Sequence, residues 1–410
     1  MSLHPELLIR HYLLLGLRLG RYIDGFVDCW FGDPELAARA AAEPRLPPPL
    51  LAAQASGLLA GLTDSGLAGP RRRFLAAQLT ALRCTAKRLA GEPVPFKAEV
   101  ADCFGVDIDL GDTGGYAAAH DAIAGLLPGR GDLASRLETF RERNKVSAAQ
   151  LRAAVLAVSG RLRSLVRAEF GLPAAEQVEF EMVAEAPWNA FNRYLGGFRS
   201  VVSLNTAAGR DLAALPLLAS HEVYPGHHTE HCLKEVLLVN ERGQGEHVIS
   251  LVNTPQCVLS EGAAELGLSA LLGPGWGAWT ETVLAEEGLS LEGELMEQLH
   301  GQFSRLLPAR QDAALLMYDR GAGLDEVISY LRRWLLISEA RARHMVNFLA
   351  DPLWRAYTTT YVEGARLVRD WLAAGAEPPA ARLRTLLREP LLPAQLQTDL
   401  SAAARRDSRD

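Results

Sequence analysis

The sequence predicts a mainly α-helical protein with one small antiparallel β-sheet set just before its most chemically loaded helix. Three observations carry this. Apolar residues recur at helical spacing along most of the 410 residues. Pro, Asp and Ser start signals divide that pattern into segments of ordinary helix length. The period changes to two only around Val178–Val183, with a β-rich run at Phe198–Leu204. A hydrophobic content of 49% is ample for a large core. Composition does not separate two unlike halves, so residues 1–175 (helical) and 176–410 (sheet, site and C-terminal helices) are expected to form one compact unit.

The N-terminal region reads as helix from Pro5 to about Phe31, then a short helix capped by Asp33-Pro34, then a stiff connector at Pro44 and Pro47-Pro48-Pro49. Helix resumes from Leu50 and again from Pro70 to Leu89, where Arg71-Arg72-Arg73 reads as a solvated first turn. Residues 91–115 read as irregular, with a loop at Gly111-Asp112-Thr113-Gly114-Gly115. Helices follow near 116–127, 132–144 and 147–170, the last with Ser147 as N-cap.

The sheet (176–205) is expected to have two or three strands and a hairpin turn at Gly196-Gly197. Its edge either pairs with an extended peptide or only caps the helical bundle. Arg199 and Asn205 are the candidate substrate contacts there. Asp211 begins a buried helix (211–238), a polar loop follows at Asn240–Glu246, and a second buried helix covers 256–272. His247 reads as an ordinary histidine. Beyond Gly273 helices are expected at 275–287, 291–320, 324–336, 338–349 and 352–374, then two short ones and a frayed tail from Ser401. Arg341, Arg343 and His344 form a basic cluster that either recognises a substrate carboxylate or lies on a solvated helix face.

The net charge of −7 and pI near 5.9 argue against broad nucleic-acid binding. Five scattered cysteines without a Cys-x-x-Cys pair suggest neither a disulfide framework nor a thiolate zinc site, and fit a reducing, cytoplasmic setting. The apolar run Tyr12–Leu17 is interrupted by Arg18 and Arg21, so neither a signal peptide nor a membrane span is expected.

The chemistry is concentrated in His221-Glu222-Val223-Tyr224-Pro225-Gly226-His227-His228, with Glu230 and His231 close behind; four of the ten histidines fall in this stretch. Imidazole is the commonest protein ligand for zinc, and a Glu directly after the first His is the position of a metallopeptidase general base. A regular helix cannot make such a site. His221 and His228 would lie about 10.5 Å apart along its axis, whereas two zinc ligands need nitrogens within roughly 3.5 Å. Pro225 has no N–H for the carbonyl of His221, and Gly226 permits unusual backbone angles, so Pro-Gly can bulge out as two inserted residues. His227 then takes the place normally filled at i+4, with His228 in reserve. A third ligand is expected from a following helix. Glu261 fills that role, and Glu265, one turn on, is placed to orient a ligand histidine.

At this point the sequence resembles a family. His-Glu-x-x-Pro-Gly-His-His followed by Glu-Gly-x-Ala is similar to the bacterial group called domain of unknown function 885, with weaker similarity through Met317-Tyr318-Asp319 and Tyr361-Val362-Glu363-Gly364. The resemblance implies a helical, zincin-like zinc peptidase, distantly similar to helical carboxypeptidases and oligopeptidases, with Tyr361 as an electrophilic hydrogen-bond donor. Two departures stand out. The group's Glu-Gly-Trp-Ala is here Glu261-Gly262-Ala263-Ala264, so a bulky wall of the site is expected to be missing. Arg320-Gly321 replaces a His that often follows the position of Asp319.

The expected chemistry is peptide hydrolysis with one zinc per chain and Glu222 as general base. Two other readings stay open on the residues alone: a non-peptidase metalloenzyme, such as a small-molecule amidase or a non-haem iron enzyme, and a helical binding protein with a vestigial metal site.

Overall fold

The computed structural model describes residues 4–184, 188–207 and 211–407. Its N-terminal part holds α1 (Pro5–Gly20), β1 (Val27–Trp30), α2 (Pro34–Ala42), α3 (Pro48–Gly61), α4 (Gly69–Leu89), α5 (Phe96–Phe104), α6 (Thr113–Leu126), α7 (Leu133–Arg143) and α8 (Ala148–Phe170). The middle holds β2 (Gln177–Val183), β3 (Ala190–Gly196), β4 (Arg199–Asn205), α9 (Leu215–Glu222), α10 (His227–Lys234), β5 (Ile249–Leu251) and α11 (Pro255–Leu272). The rest is α12 (Trp276–Glu286), α13 (Gly293–Ser304), α14 (Pro308–Tyr318), α15 (Leu324–Leu335), α16 (Glu339–Ala350), α17 (Thr358–Ala373), α18 (Pro379–Arg388) and α19 (Pro393–Asp407). Among the described residues no helix is long and apolar enough to cross a membrane.

Local chemistry sets many boundaries. Asp33, Asp112, Asp132, Ser147 and Ser338 each accept a backbone N–H at the start of a helix, and Ser147 with Gln150 forms a complete capping box. The fold class is the expected one, but several details differ, among them the starts of the helices expected from 211 and 352, which lie at Leu215 and Thr358. The first helix ends at Gly20, and Val27–Trp30 becomes a strand paired with the distant β5, a partner that no local pattern reveals. The stretch 91–115 contains α5, closed by Gly105 at φ 66°. The helix expected over 291–320 is broken before Pro308, as a proline inside a helical run dictates. The tail from Ser401 is instead the end of α19, which runs to Asp407.

The sheet is built on the expected hairpin: β3 and β4 pair antiparallel through Gly196-Gly197, both at positive φ. β2 joins β4 in parallel, so the order is β2-β4-β3 and the sheet is mixed.

Two hydrophobic cores share the molecule. One joins α1 to α5 with β5, α14, α15 and α16; the other joins α6 to α10, β3, β4, α12, α13, α18 and α19. α11 contributes to both. α17 crosses α11 nearly backbone to backbone. A Cβ on Gly262 would lie 2.3 Å from the carbonyl oxygen of Gly364, and a Cβ on Gly364 would lie 2.2 Å from that of Val258. This approach sets α17 directly against the turn of α11 that carries Glu261.

Candidate metal centre

The helix that should run through the His221 motif is interrupted. α9 ends at Glu222 and α10 restarts at His227, with a cis peptide at Tyr224-Pro225. Across the gap Gly226 N donates to Ser220 O at 2.9 Å and Thr229 N to Val223 O at 3.2 Å. These bonds span six residues instead of four, so the ladder carries two extra residues, as the spacing predicts. Gly226 has no room for a side chain: a Cβ would lie 1.9 Å from His221 O. Asn192 of β3 donates to Glu222 O at 2.6 Å, which satisfies a carbonyl near the interrupted end and ties the sheet to the motif.

The bulge brings His227 beside His221. Their Nε2 atoms are 3.2 Å apart, and Glu261 Oε2 lies 3.3 Å from His221 Nε2 and 3.9 Å from His227 Nε2. Glu261 is only 5% exposed, and its Oε2 has no hydrogen-bond partner. A buried carboxylate oxygen without a well-formed hydrogen bond is costly unless a cation answers it, and here that cation is either a protonated His221 or a metal ion held by both imidazoles. Burial alone would lower the pKa of His221, but Glu261, Glu222 and Glu265 outweigh it and hold the imidazole up at about 9. Two imidazoles and one carboxylate at separations near roughly 3.5 Å fit a divalent ion of the zinc type. The three side chains form a candidate ligand group whose donor atoms all lie within 4.8 Å of one another.

Neighbouring groups hold these three in place. Tyr357 donates to Glu261 Oε1 at 2.7 Å. His221 Nδ1 is 4.0 Å from Glu265 Oε2, beyond hydrogen-bond reach but on the side expected of an orienting carboxylate. His227 Nδ1 is 3.3 Å from Ser260 Oγ, which donates to Glu230 Oε2 at 2.5 Å, and Glu230 in turn pairs with Lys234.

His228, the reserve ligand, points elsewhere. It is fully buried, with Nδ1 2.8 Å from Ser200 Oγ and Nε2 3.1 Å from Glu176 Oε2. One residue of helical rotation after His227 turns it into the core, where burial lowers its pKa. His231 stacks on Tyr194 at 4.7 Å between ring centroids. His247 is packed against Phe74, as an ordinary core histidine would be.

Glu222 is 8% exposed, and among the described residues its carboxylate makes no hydrogen bond or ion pair, while its charge helps to raise the pKa of His221. Tyr361 is half-buried on α17 near Glu261 and Glu222; burial and these carboxylates push its hydroxyl pKa well up, so it keeps its proton. Two charged residues escaped the sequence reading. Arg310 of α14 lies near Glu265 and Tyr361 with its Nε buried and unbonded. Asp28 of β1 is within electrostatic range of His227, Glu261 and Glu222, and burial raises its carboxyl pKa. Arg310 opens the polar triplet Arg310-Gln311-Asp312 near the start of α14, a pattern ordinary for a helix start, and Asp28 offered no signal either.

The substrate-contact candidates fare differently. Asn205 is 2% exposed; its amide donates to Trp188 O and accepts from Ala207 N, which closes the end of β4. Arg199 is exposed at the start of β4. Arg341, Arg343 and His344 are exposed on α16, where Arg343 pairs with Glu339 at 2.9 Å, an arrangement matching a solvated face. Ala263, at the expected missing wall, is 1% exposed within the core.

No protein-family model matches the chain, and no curated protein matches it. Among solved structures, it resembles a "putative lipoprotein" of Colwellia psychrerythraea with TM-score 0.51 and 14% identity, covering 87% of this chain and 66% of that one. The chain thus spans just under two thirds of that protein's length. A similarly described Shewanella oneidensis protein of unknown function aligns with TM-score 0.43 and 16% identity over 86% of this chain and 76% of that one. An M32 carboxypeptidase of Deinococcus radiodurans R1 aligns with TM-score 0.37 and 14% identity over 95% and 93%. At such identities the first likeness speaks for a shared fold.

Proposed function

We propose that this chain is a zinc-dependent hydrolase of peptide bonds, a member of the domain of unknown function 885 group, holding one zinc through His221, His227 and Glu261. The observation that carries the reading is the convergence of the buried Glu261 Oε2, which makes no well-formed hydrogen bond, with two imidazole nitrogens, and Glu222 directly follows His221 in the chain. Zinc bound there would polarise a scissile carbonyl and make a water molecule more acidic. Glu222 takes the proton from the attacking water on its carboxylate and returns it to the leaving amine. Tyr361, kept protonated by its surroundings, donates a hydrogen bond to the oxyanion that develops on the carbonyl. On its side away from β4, β3 has no strand partner among the described residues. Because β3 also carries Asn192 to the motif, an extended peptide paired along that edge would pass beside the site. The cysteines are all free, which suits the cytoplasmic setting that belongs to the same proposal.

Elemental analysis of wild type, His221→Ala, Glu261→Ala and Glu222→Gln, each assayed on a mixed peptide library, tests this. About one zinc per chain is expected in wild type and Glu222→Gln, with cleavage in wild type alone. A fully active Glu222→Gln would remove the general-base role. Zinc without any peptide cleavage would favour a small-molecule amidase or a vestigial site.

A further inference from the structure

We propose that two serine-carboxylate pairs decide which of the adjacent histidines His227 and His228 is the metal ligand, by fixing where each ring carries its proton. Ser260 and Glu230 are then positioning residues of the centre; this rests on the zinc reading above. A neutral imidazole has one N–H, and its other nitrogen holds the lone pair that a metal needs. At His227 the assignment follows from Ser260. Its Oγ donates to Glu230 Oε2 at 2.5 Å. Lys234 Nζ is 2.5 Å from Glu230 Oε1, so that carboxylate is half of an ion pair and can only accept. The single hydroxyl proton of Ser260 is thereby used. Toward His227 Nδ1, 3.3 Å away, Ser260 Oγ can only accept, so the ring proton is on Nδ1 and the lone pair on Nε2. That nitrogen is the one 3.2 Å from His221 Nε2 and 3.9 Å from Glu261 Oε2.

His228 is held in the opposite form. Its Nε2 is 3.1 Å from Glu176 Oε2, and Glu176 is ion-paired with Arg163 and Arg167, so it accepts the Nε2 proton. Nδ1 then takes the hydroxyl proton of Ser200 at 2.8 Å. Both nitrogens of His228 are spent within the core, where the side chain is fully buried, whereas His227 keeps one nitrogen free for the centre. The chain supplies the two pairs from different places. Glu230 stands three residues after His227 on α10, and Ser260 directly precedes Glu261 on α11. The turns that carry two of the ligands thus also carry the groups that orient His227. Ser200 belongs to β4, and Glu176 directly precedes β2, so the pair that withholds His228 comes from the sheet.

Full-length wild type, Ser260→Ala, Ser260→Thr, Glu230→Gln and Ser200→Ala are to be compared by two measurements. Chelator competition gives the zinc affinity, and nitrogen-15 shifts of the His227 ring in the zinc-free chain, assigned by their loss in His227→Gln, give the proton placement. In wild type the His227 proton is expected on Nδ1. In Glu230→Gln the amide can donate to Ser260 Oγ and free the hydroxyl proton for His227 Nδ1. The Nε2–H form should then become populated and zinc affinity fall by about 10- to 100-fold. Ser260→Ala should weaken zinc binding by a similar factor, and Ser260→Thr, which keeps the hydroxyl, should recover most of it. Ser200→Ala disturbs the packing beside the bulge without touching His227, and should stay within about 3-fold of wild type. A wild-type His227 with its proton on Nε2, or a Glu230→Gln variant with unchanged proton placement and affinity, overturns the proposal and leaves the zinc reading intact. A loss in Ser200→Ala equal to that in Ser260→Ala overturns it too, since it would mark a general disturbance of the bulge. If Ser260→Ala is poorly folded, Glu230→Gln decides alone. A wild type that binds no zinc, with the proton on Nδ1, overturns the zinc reading and the ligand assignment together.

Discussion

Tyr357 and Tyr361 stand one turn apart, with ring centroids 5.6 Å from each other, yet their hydroxyls face different tasks. Tyr357 is committed to Glu261 Oε1, whereas among the described residues the Tyr361 hydroxyl has no hydrogen-bond partner and keeps its proton. Tyr361→Phe should therefore lower kcat by about 10²- to 10³-fold with zinc retained. Tyr357→Phe should instead weaken zinc binding by about 10- to 100-fold, with activity largely recovered at saturating zinc. Chelator competition and steady-state kinetics on both variants separate the two. Equal effects on zinc and kcat in both variants would refute the division of labour. Glu176 offers a pH test at the same scale. Burial opposes its ionisation, but His228, Arg163 and Tyr224 outweigh that and hold its carboxyl down at about 2, from an ordinary 4.5. A depressed carboxyl pKa gives stability that is complete above about pH 4.5 and is lost as the pH falls through about 2. The gap in unfolding free energy between wild type and Glu176→Gln should thus shrink by roughly 2–3 kcal/mol between pH 6 and pH 2. Urea titrations at several pH values would show it, and a gap independent of pH would contradict it.

The break between α9 and α10 is the element on which the centre depends. Gly226→Ala would force a Cβ to within 1.9 Å of His221 O and 2.4 Å of Ser220 O. The backbone there must shift, and His227 shifts with it. The variant is expected to fold, because, of the two cores, only Val223 and Tyr224 lie in the bulge, but to lose at least about 10-fold in zinc affinity. Wild-type affinity in Gly226→Ala, read by chelator competition, would show that the bulge does not set the ligand geometry. This break was legible in the sequence because Pro225 and Gly226 act through backbone rules that need no tertiary information. The hairpin at Gly196-Gly197 and the cap at Ser147 were legible for the same reason. The fate of His228 was not. Which of two adjacent histidines turns inward depends on Ser200 and Glu176, both remote in sequence. Asp28 and Arg310 were hidden likewise: a polar residue on a short strand, or in a polar triplet near the start of a helix, declares its purpose only when distant elements converge on it.

At the scale of the molecule, the helical class followed from periodicity, while the pairing of β1 with β5 and the sharing of α11 between two cores did not, since both are contacts between distant segments. Buried ion pairs join those segments and expose them to test. Glu99 of α5 is 1% exposed and is bonded both to Arg88 of α4 and to Arg355, which precedes α17. Arg355 Nε donates to Glu99 Oε2 at 2.7 Å, and Arg88 continues to Pro352 O at 3.0 Å, so one carboxylate fastens the N-terminal helices to the segment that leads into Tyr357 and Tyr361. Removing it strands two partly buried guanidinium groups, whose desolvation is then uncompensated. Glu99→Ala should cost about 3–5 kcal/mol of stability in the zinc-free protein. Glu99→Gln should cost less, since an amide oxygen still accepts one of the arginine bonds. Because the tether holds the approach to α17, Glu99→Ala should also weaken zinc binding through Tyr357, which never touches Glu99. Urea denaturation of the zinc-free chain measures the first effect and chelator competition the second. A large loss of stability with unchanged zinc affinity would mean that the Gly262–Gly364 crossing alone positions α17, and that the N-terminal helices support the centre without setting its geometry.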